Sequence, residues 1–119
     1  MIQRIYGHRG ARGLYPENTI YGFMSALNFH VIGFELDIVV SKDRQLIISH
    51  EPWINHQICT DAKGLPISES AGKEFNIYKM DYDEISKFDC GSKCNPLIPS
   101  QQSFPAVKPT LGELAYRLK

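Results

Sequence analysis

The sequence predicts an α/β fold on three observations: β-type alternation over residues 2–6, an apolar stripe at helical spacing between Ile20 and Leu27, and a β-rich run over 34–40. The first run enters Gly7-His8-Arg9-Gly10, which reads as a strand ending in a glycine-flanked loop with His8 at its C-terminal end. After Pro16-Glu17-Asn18-Thr19, Ile20, Phe23, Met24 and Leu27 fall on one face of a helix over roughly 19–29, with Asn18 as its N-cap. In the run 34–40, Glu35 and Asp37 share one strand face and Phe34, Leu36 and Ile38 the other, because strand side chains alternate. Ser41-Lys42-Asp43-Arg44 is a turn into a further strand over 45–49. A two-residue hairpin centred on Asp43-Arg44 puts Asp37 directly opposite His50.

From 51 to 108 the periodicity weakens and Gly, Pro, Ser and Asn become frequent, which predicts a semi-ordered insertion. Within it, Asp81 and Glu84 cap a short helix over about 82–88, with Gly91 as a stop. Thr110 and Glu113 form a capping box for a last helix through Leu114, Ala115 and Leu118. Strand, helix, strand, strand, insertion, helix is an incomplete α/β pattern.

The 119 residues suffice for one domain. Thirteen basic and thirteen acidic residues cancel, so no long-range field gathers nucleic acid or an anionic membrane, and any phosphate site must be local. No run approaches the roughly eighteen apolar residues of a membrane span, and the first residues show no basic segment followed by an apolar one. The compartment, cytoplasm or periplasm, is left open. Cys59, Cys90 and Cys94 exclude a fully paired framework, although one bridge is allowed; the expectation is ordinary buried or loop cysteines. Cys90 and Cys94 lack a second Cys/His pair to complete a zinc site.

Four features carry chemistry: His8-Arg9, Glu17-Asn18, Glu35-x-Asp37 and His50. Two carboxylates on one strand can share a hard divalent cation such as Mg²⁺ or Ca²⁺, which prefers oxygen ligands. Two histidines can exchange acid and base roles, and the planar fork of Arg9 suits a phosphate oxygen. Within an otherwise apolar strand, a cation partner accounts for Glu35 and Asp37 better than a solvated face does. Trp53, Tyr78, Tyr82 and Phe88 are expected to build a small core of the insertion rather than line a ligand pocket, and His30 and His56 to lie on the surface.

The ordered series His8-Arg9-Gly10, Pro16-Glu17-Asn18-Thr19, Gly33-Phe34-Glu35-Leu36-Asp37, Lys42-Asp43, His50-Glu51-Pro52 and Pro109-Thr110-Leu111-Gly112-Glu113 resembles the signature of the glycerophosphodiester phosphodiesterase family over nearly the whole chain. The resemblance implies a partial TIM-type (β/α) barrel with an insertion after the third strand and a site at the C-terminal strand ends. On that reading 1–50 holds the barrel strands and helix one, 51–108 the insertion, and 109–119 the start of the next barrel helix. Carried onto this sequence, His8 and His50 are the catalytic acid/base pair, Arg9 and Glu17 the substrate-binding residues, and Glu35 and Asp37 ligands of Mg²⁺ or Ca²⁺.

The implied reaction is hydrolysis of a glycerophosphodiester to glycerol 3-phosphate and an alcohol. Two departures stand out: Glu51 replaces the family's usual Asp, and the strand with the family's third metal carboxylate would follow Lys119. A barrel typically needs about 250 residues, so the expectation is a truncated product or fragment with exposed sheet edges inviting self-association. The alternative is a catalytically inactive phosphate- or cation-binding module. Related barrels of the toxin phospholipase D and inositol-lipid phospholipase C types also use two histidines, but Pro16-Glu17-Asn18-Thr19 speaks against them.

Overall fold

The computed structural model describes residues 3–119; Ile2, placed in the first predicted strand, lies outside the described residues. Strand β1, Tyr6–His8, starts later than the alternation suggests and pairs in parallel with β2, Gly33–Glu35, so that His8 and Glu35 are register partners. Between them runs helix α1, Ile20–Ala26, extended by a 3-10 turn over Leu27–Phe29. Parallel strands joined through a helix are the repeating unit of a (β/α) barrel, so the α/β partial-barrel expectation fits.

The N-cap of α1 is Thr19 rather than Asn18. The Thr19 hydroxyl accepts from Gly22 N at 3.1 Å and donates to Pro16 O at 2.8 Å. Asn18 sits in the left-handed region at φ 55, so its side chain is free for another purpose.

The predicted strand over 34–40 is two strands. It breaks at Leu36-Asp37 and resumes as β3, Ile38–Val40, antiparallel to β4, Leu46–Ile48. Glu35 therefore ends the parallel sheet while Asp37 precedes the antiparallel one, and they do not share a face of one strand. The hairpin register also shifts by one: Ile38 faces Ile48, and Ser49 N donates to Asp37 O at 3.0 Å, so Asp37 lies opposite Ser49 instead of His50. The cause is a three-residue loop. Ser41 N donates to Gln45 O, the Ser41 hydroxyl accepts from Gln45 N, and Arg44 takes φ 65, the left-handed residue such loops require. The same hydroxyl donates to Asp43 Oδ1 at 2.5 Å and holds that carboxyl below its ordinary value.

Alternation along β4 joins two cores. Ile48 packs with Phe23 and Leu114, with Phe34 and Leu36 against them. Ile47, on the other face, enters a larger cluster with Ile54, Ile67, Ile77, Ile85 and Phe88. Residues 51–108 are thus better ordered than their weak periodicity suggests. They contain α2, Glu69–Glu74, capped by Ser68, and α3, Tyr82–Ile85, which is shorter than the predicted 82–88. Phe88 and Tyr82 join the core as expected, Tyr78 is exposed, and His30 is on the surface while His56 is half-buried. Helix α4, Leu111–Arg117, opens where read, with Thr110 Oγ1 accepting from Glu113 N at 3.1 Å, which is one half of the expected capping box.

The cysteine expectation needs correcting. Cys59 and Cys90 are joined by a disulfide inside the larger core, leaving Cys94 free and exposed. Spacing alone could not reveal this, because the two segments meet only when Thr60 and Asp89 pair across an isolated bridge. Just beyond, Gly91 has no room for a side chain, since an added Cβ would collide with the Phe104 carbonyl oxygen.

Asp89 ties this corner together. Its Oδ1 accepts from Gly91, Ser92 and Ala106 N–H groups at 3.0–3.2 Å, and its Oδ2 from the Ser92 hydroxyl. Burial raises its pKa, but these donors, led by Ser92, outweigh it and leave the carboxyl below its ordinary 3.8. Between the lowered value and 3.8 the unfolded chain binds more protons than the folded one, so stability present above that range is lost as pH falls through it. Asp89→Asn should flatten this acid limb in urea titrations, and Asp89→Ala should cost about 2–4 kcal/mol at pH 7. An unchanged acid limb in Asp89→Asn would remove the carboxylate from this role.

Candidate functional site at the strand ends

The parallel register brings the C-terminal ends of β1 and β2 together, with His8 Nε2 3.6 Å from Glu35 Oε2. Both are accessible, with 60% and 48% of their side-chain surface exposed. The next residue turns inward. Arg9 adopts φ 49, unusual for a residue with a side chain, and is fixed there by two backbone hydrogen bonds: Arg9 N donates to Glu35 O, and Arg9 O accepts from Asn18 N, both at 2.8 Å. Strained backbone held by its surroundings recurs at functional sites.

Glu17, with only 5% of its side chain exposed, receives the charges of this corner. Arg9 Nη1 donates to both carboxylate oxygens at 3.0 and 3.1 Å, and Arg12 Nε donates to Oε1 at 3.1 Å. Lys108 is buried nearby. Burial pushes its ammonium below the ordinary lysine value, and the negative charges of Glu17 and Glu51 pull it back up. Beyond β4, His50 Nδ1 lies 2.9 Å from Glu51 Oε1. Arg9, Glu17, His50 and Glu51 all line one cavity of about 230 Å³.

Buried polar atoms without a protein partner concentrate here. Among the described residues they are Arg9 Nε, both amide atoms of Asn18, Asp37 Oδ2, Glu51 Oε2 and Thr60 Oγ1. All but the last belong to residues of the His-Arg, Glu-Asn, Glu-x-Asp and His-Glu motifs. Such atoms are uncommon in folded proteins and call for an explanation.

The structure thus brings His8 to Glu35, and Arg9 to Glu17 and to the cavity of His50. Asp37 is held by its backbone against Ser49 with one buried oxygen unanswered. Among the described residues, no group of three or more His, Cys, Asp or Glu gathers as a metal cage. Sequence reading missed Arg12 and Lys108 as members of the charge cluster, and offered Asn18 both as the cap of helix one and as part of the Glu17-Asn18 feature. A lysine between Phe104-Pro105-Ala106-Val107 and Pro109 was the available signal for Lys108, since an isolated charge in an apolar run must find a partner if buried.

The fold and this corner define an α/β chain in which His8 meets Glu35 at the C-terminal ends of β1 and β2, and Arg9, Arg12, Glu17, His50 and Glu51 line a neighbouring cavity. Residues 8–116 match the model of the glycerophosphoryl diester phosphodiesterase family, and the chain belongs to that family. It is 42% identical over 64 residues to a glycerophosphodiester phosphodiesterase of Bacillus altitudinis, covering 54% of this chain and 25% of that one. A crystal structure from Silicibacter pomeroyi DSS-3, of a protein assigned by inference to the glycerophosphoryl diester phosphodiesterases, superposes with a TM-score of 0.87 at 30% identity, over 95% of this chain and 39% of that one. An Oleispira antarctica phosphodiesterase in complex with the product sn-glycerol-3-phosphate shares the fold, with a TM-score of 0.66 at 24% identity, over 95% of this chain and 38% of that one. The chain therefore spans about a quarter to two-fifths of the length of these relatives.

Proposed function

We propose that this chain contributes the strand-end groups of a metal-assisted site that hydrolyses glycerophosphodiesters to glycerol 3-phosphate and an alcohol. The observation that carries the reading is the concentration of unpartnered buried polar atoms on Arg9, Asn18, Asp37 and Glu51, beside the His8 and Glu35 pair. Groups so arranged suit a charged, oxygen-rich ligand.

A hard cation fits the carboxylates present. Asp37 offers a buried oxygen with no protein partner, Glu35 stands at the neighbouring strand end, and Mg²⁺ in particular is commonly held by one or two carboxylates with waters and substrate oxygens completing its shell. Glu35 and Asp37 would hold the ion, which when bound neutralises negative charge on phosphate oxygens. Arg9, oriented by Glu17, adds a donor to the same oxygens. The two histidines move the protons: one takes the proton of the attacking hydroxyl, and the other protonates the departing alkoxide. Attack by the substrate's own glycerol hydroxyl gives a cyclic phosphate, which water opens with the roles exchanged. With Nδ1 facing Glu51, His50 presents Nε2 to substrate.

On this reading 51–108 is an insertion carried beside the barrel strands. The open edges of the two-stranded sheets, flanked by exposed Ile5, Tyr6, Ile32 and Leu46, are surfaces on which another chain can pair.

The test is release of glycerol 3-phosphate from a glycerophosphodiester by the 119-residue chain. Turnover should require Mg²⁺ or Ca²⁺, stop with EDTA and return when the ion is restored. Turnover indifferent to EDTA would overturn the metal assignment. Calorimetric binding of glycerol 3-phosphate without any turnover would overturn hydrolysis in favour of a binding module.

A further inference from the structure

Lys108 takes no part in the proton transfers above, yet only 5% of it is exposed and it is buried against the charged corner. Backbone contacts fix its place. Ile48 N donates to Pro109 O at 2.9 Å, Ile47 bridges Thr110 in the antiparallel sense, and the Tyr82 hydroxyl donates to Lys108 O at 2.8 Å. Continuing that register by two residues sets Lys108 opposite Ser49, the residue before His50. Facing residues of an antiparallel pair project to the same side, so Lys108 shares a face with Ser49, whose hydroxyl donates to Glu51 O at 2.6 Å.

A buried ammonium is costly unless carboxylates answer it. Glu17 and Glu51 do so here, and their negative charges draw the Lys108 pKa back up against the effect of burial. The two carboxylates are held differently. Glu17 accepts from Arg9 and Arg12. Glu51 has Oε1 at 2.9 Å from His50 Nδ1, while its Oε2 is buried with no hydrogen-bond partner among the described residues. The positive charge of Lys108 supports the carboxylate form of Glu51, which can only accept hydrogen bonds. An acceptor at that distance calls for the proton of a neutral imidazole on Nδ1, which leaves Nε2 bare.

Resting on the hydrolysis reading above, we infer that Lys108 is a positioning residue: its ammonium holds Glu51 as the acceptor for His50 Nδ1–H and so fixes the imidazole tautomer that offers Nε2 to the proton transfers.

The tautomer of His50 is read by ¹⁵N NMR of the 119-residue chain at about pH 8.5, some two units above the ordinary histidine value of about 6.5. The Nδ1–H form should dominate in the unsubstituted chain. Lys108→Met, which keeps the length and removes the charge, should make the Nε2–H form the majority; Lys108→Arg, which keeps the charge, should retain Nδ1–H. Circular dichroism checks that each variant folds. A measurement that needs no change at Lys108 is its own titration, followed through ¹³Cε: in Glu51→Gln it should move to lower pH, and an unmoved titration breaks the link. In turnover, Lys108→Met should lower kcat about tenfold with KM within about twofold, and should change nothing further in the His50→Ala background. An unchanged His50 tautomer in folded Lys108→Met overturns the positioning role. So does a rise in KM that persists beside His50→Ala, which would assign Lys108 to the substrate phosphate. An unsubstituted chain with no turnover but the expected tautomer change overturns the hydrolysis reading and leaves the Lys108, Glu51 and His50 linkage standing.

Discussion

Glu17→Gln should lower the unfolding free energy by about 3–5 kcal/mol, the cost of removing one partner from a buried ionic network. The carboxylate is bonded by Arg9 and Arg12, and it also supports the buried Lys108 ammonium. A neutral amide leaves the Arg9 and Arg12 guanidinium groups without their buried carboxylate, and presents Arg9 with an NH₂ group where an oxygen stood. The left-handed backbone of Arg9 loses a restraint at the same time. Urea denaturation at pH 7 reads the effect directly. The exposed Lys73 and Glu69 pair at 3.3 Å is an internal control, and its loss through Glu69→Ala should cost no more than about 0.5 kcal/mol. If the two variants shifted the midpoint equally, Glu17 would be an ordinary surface carboxylate in solution.

The second large effect concerns turnover. His8→Ala and His50→Ala should each reduce hydrolysis about 10²–10⁴-fold relative to the unsubstituted chain, the usual contribution of a positioned acid or base. His8 is mostly exposed and His50 partly so, and neither belongs to a core cluster, so both variants should keep the folded stability. If Glu35 and Asp37 hold the ion as proposed, metal affinity by calorimetry should remain, because their carboxylates are untouched. The double variant should be little worse than either single one if the two act as a unit, since such effects are not additive. Full turnover in either single variant would withdraw that histidine from the mechanism.

Reading the chain by local rules reached some elements and stopped at others for identifiable reasons. The stripe Ile20, Phe23, Met24, Leu27 located α1, because a helix face is set by neighbours three and four residues apart. Thr110 and Glu113 located the start of α4 for the same reason. The N-cap of α1 was placed one residue early, since Asn18 and Thr19 are both good caps and only the turn through Pro16 selects the Thr19 hydroxyl. Asp37 was misplaced because a period-two pattern reports alternation but neither a break in the strand nor a one-residue change in loop length.

The amino-acid order by itself determined the family, the α/β class and the motifs that bear the candidate chemistry, because these depend on residue type and local spacing. Folding in three dimensions decided which charges answer one another, that Cys59 meets Cys90, and that Lys108 is buried behind Glu17 and Glu51. The physical reason is range. Hydrogen bonding within a turn or helix is written in adjacent residues, whereas burial and Coulomb partners join positions that only packing brings together.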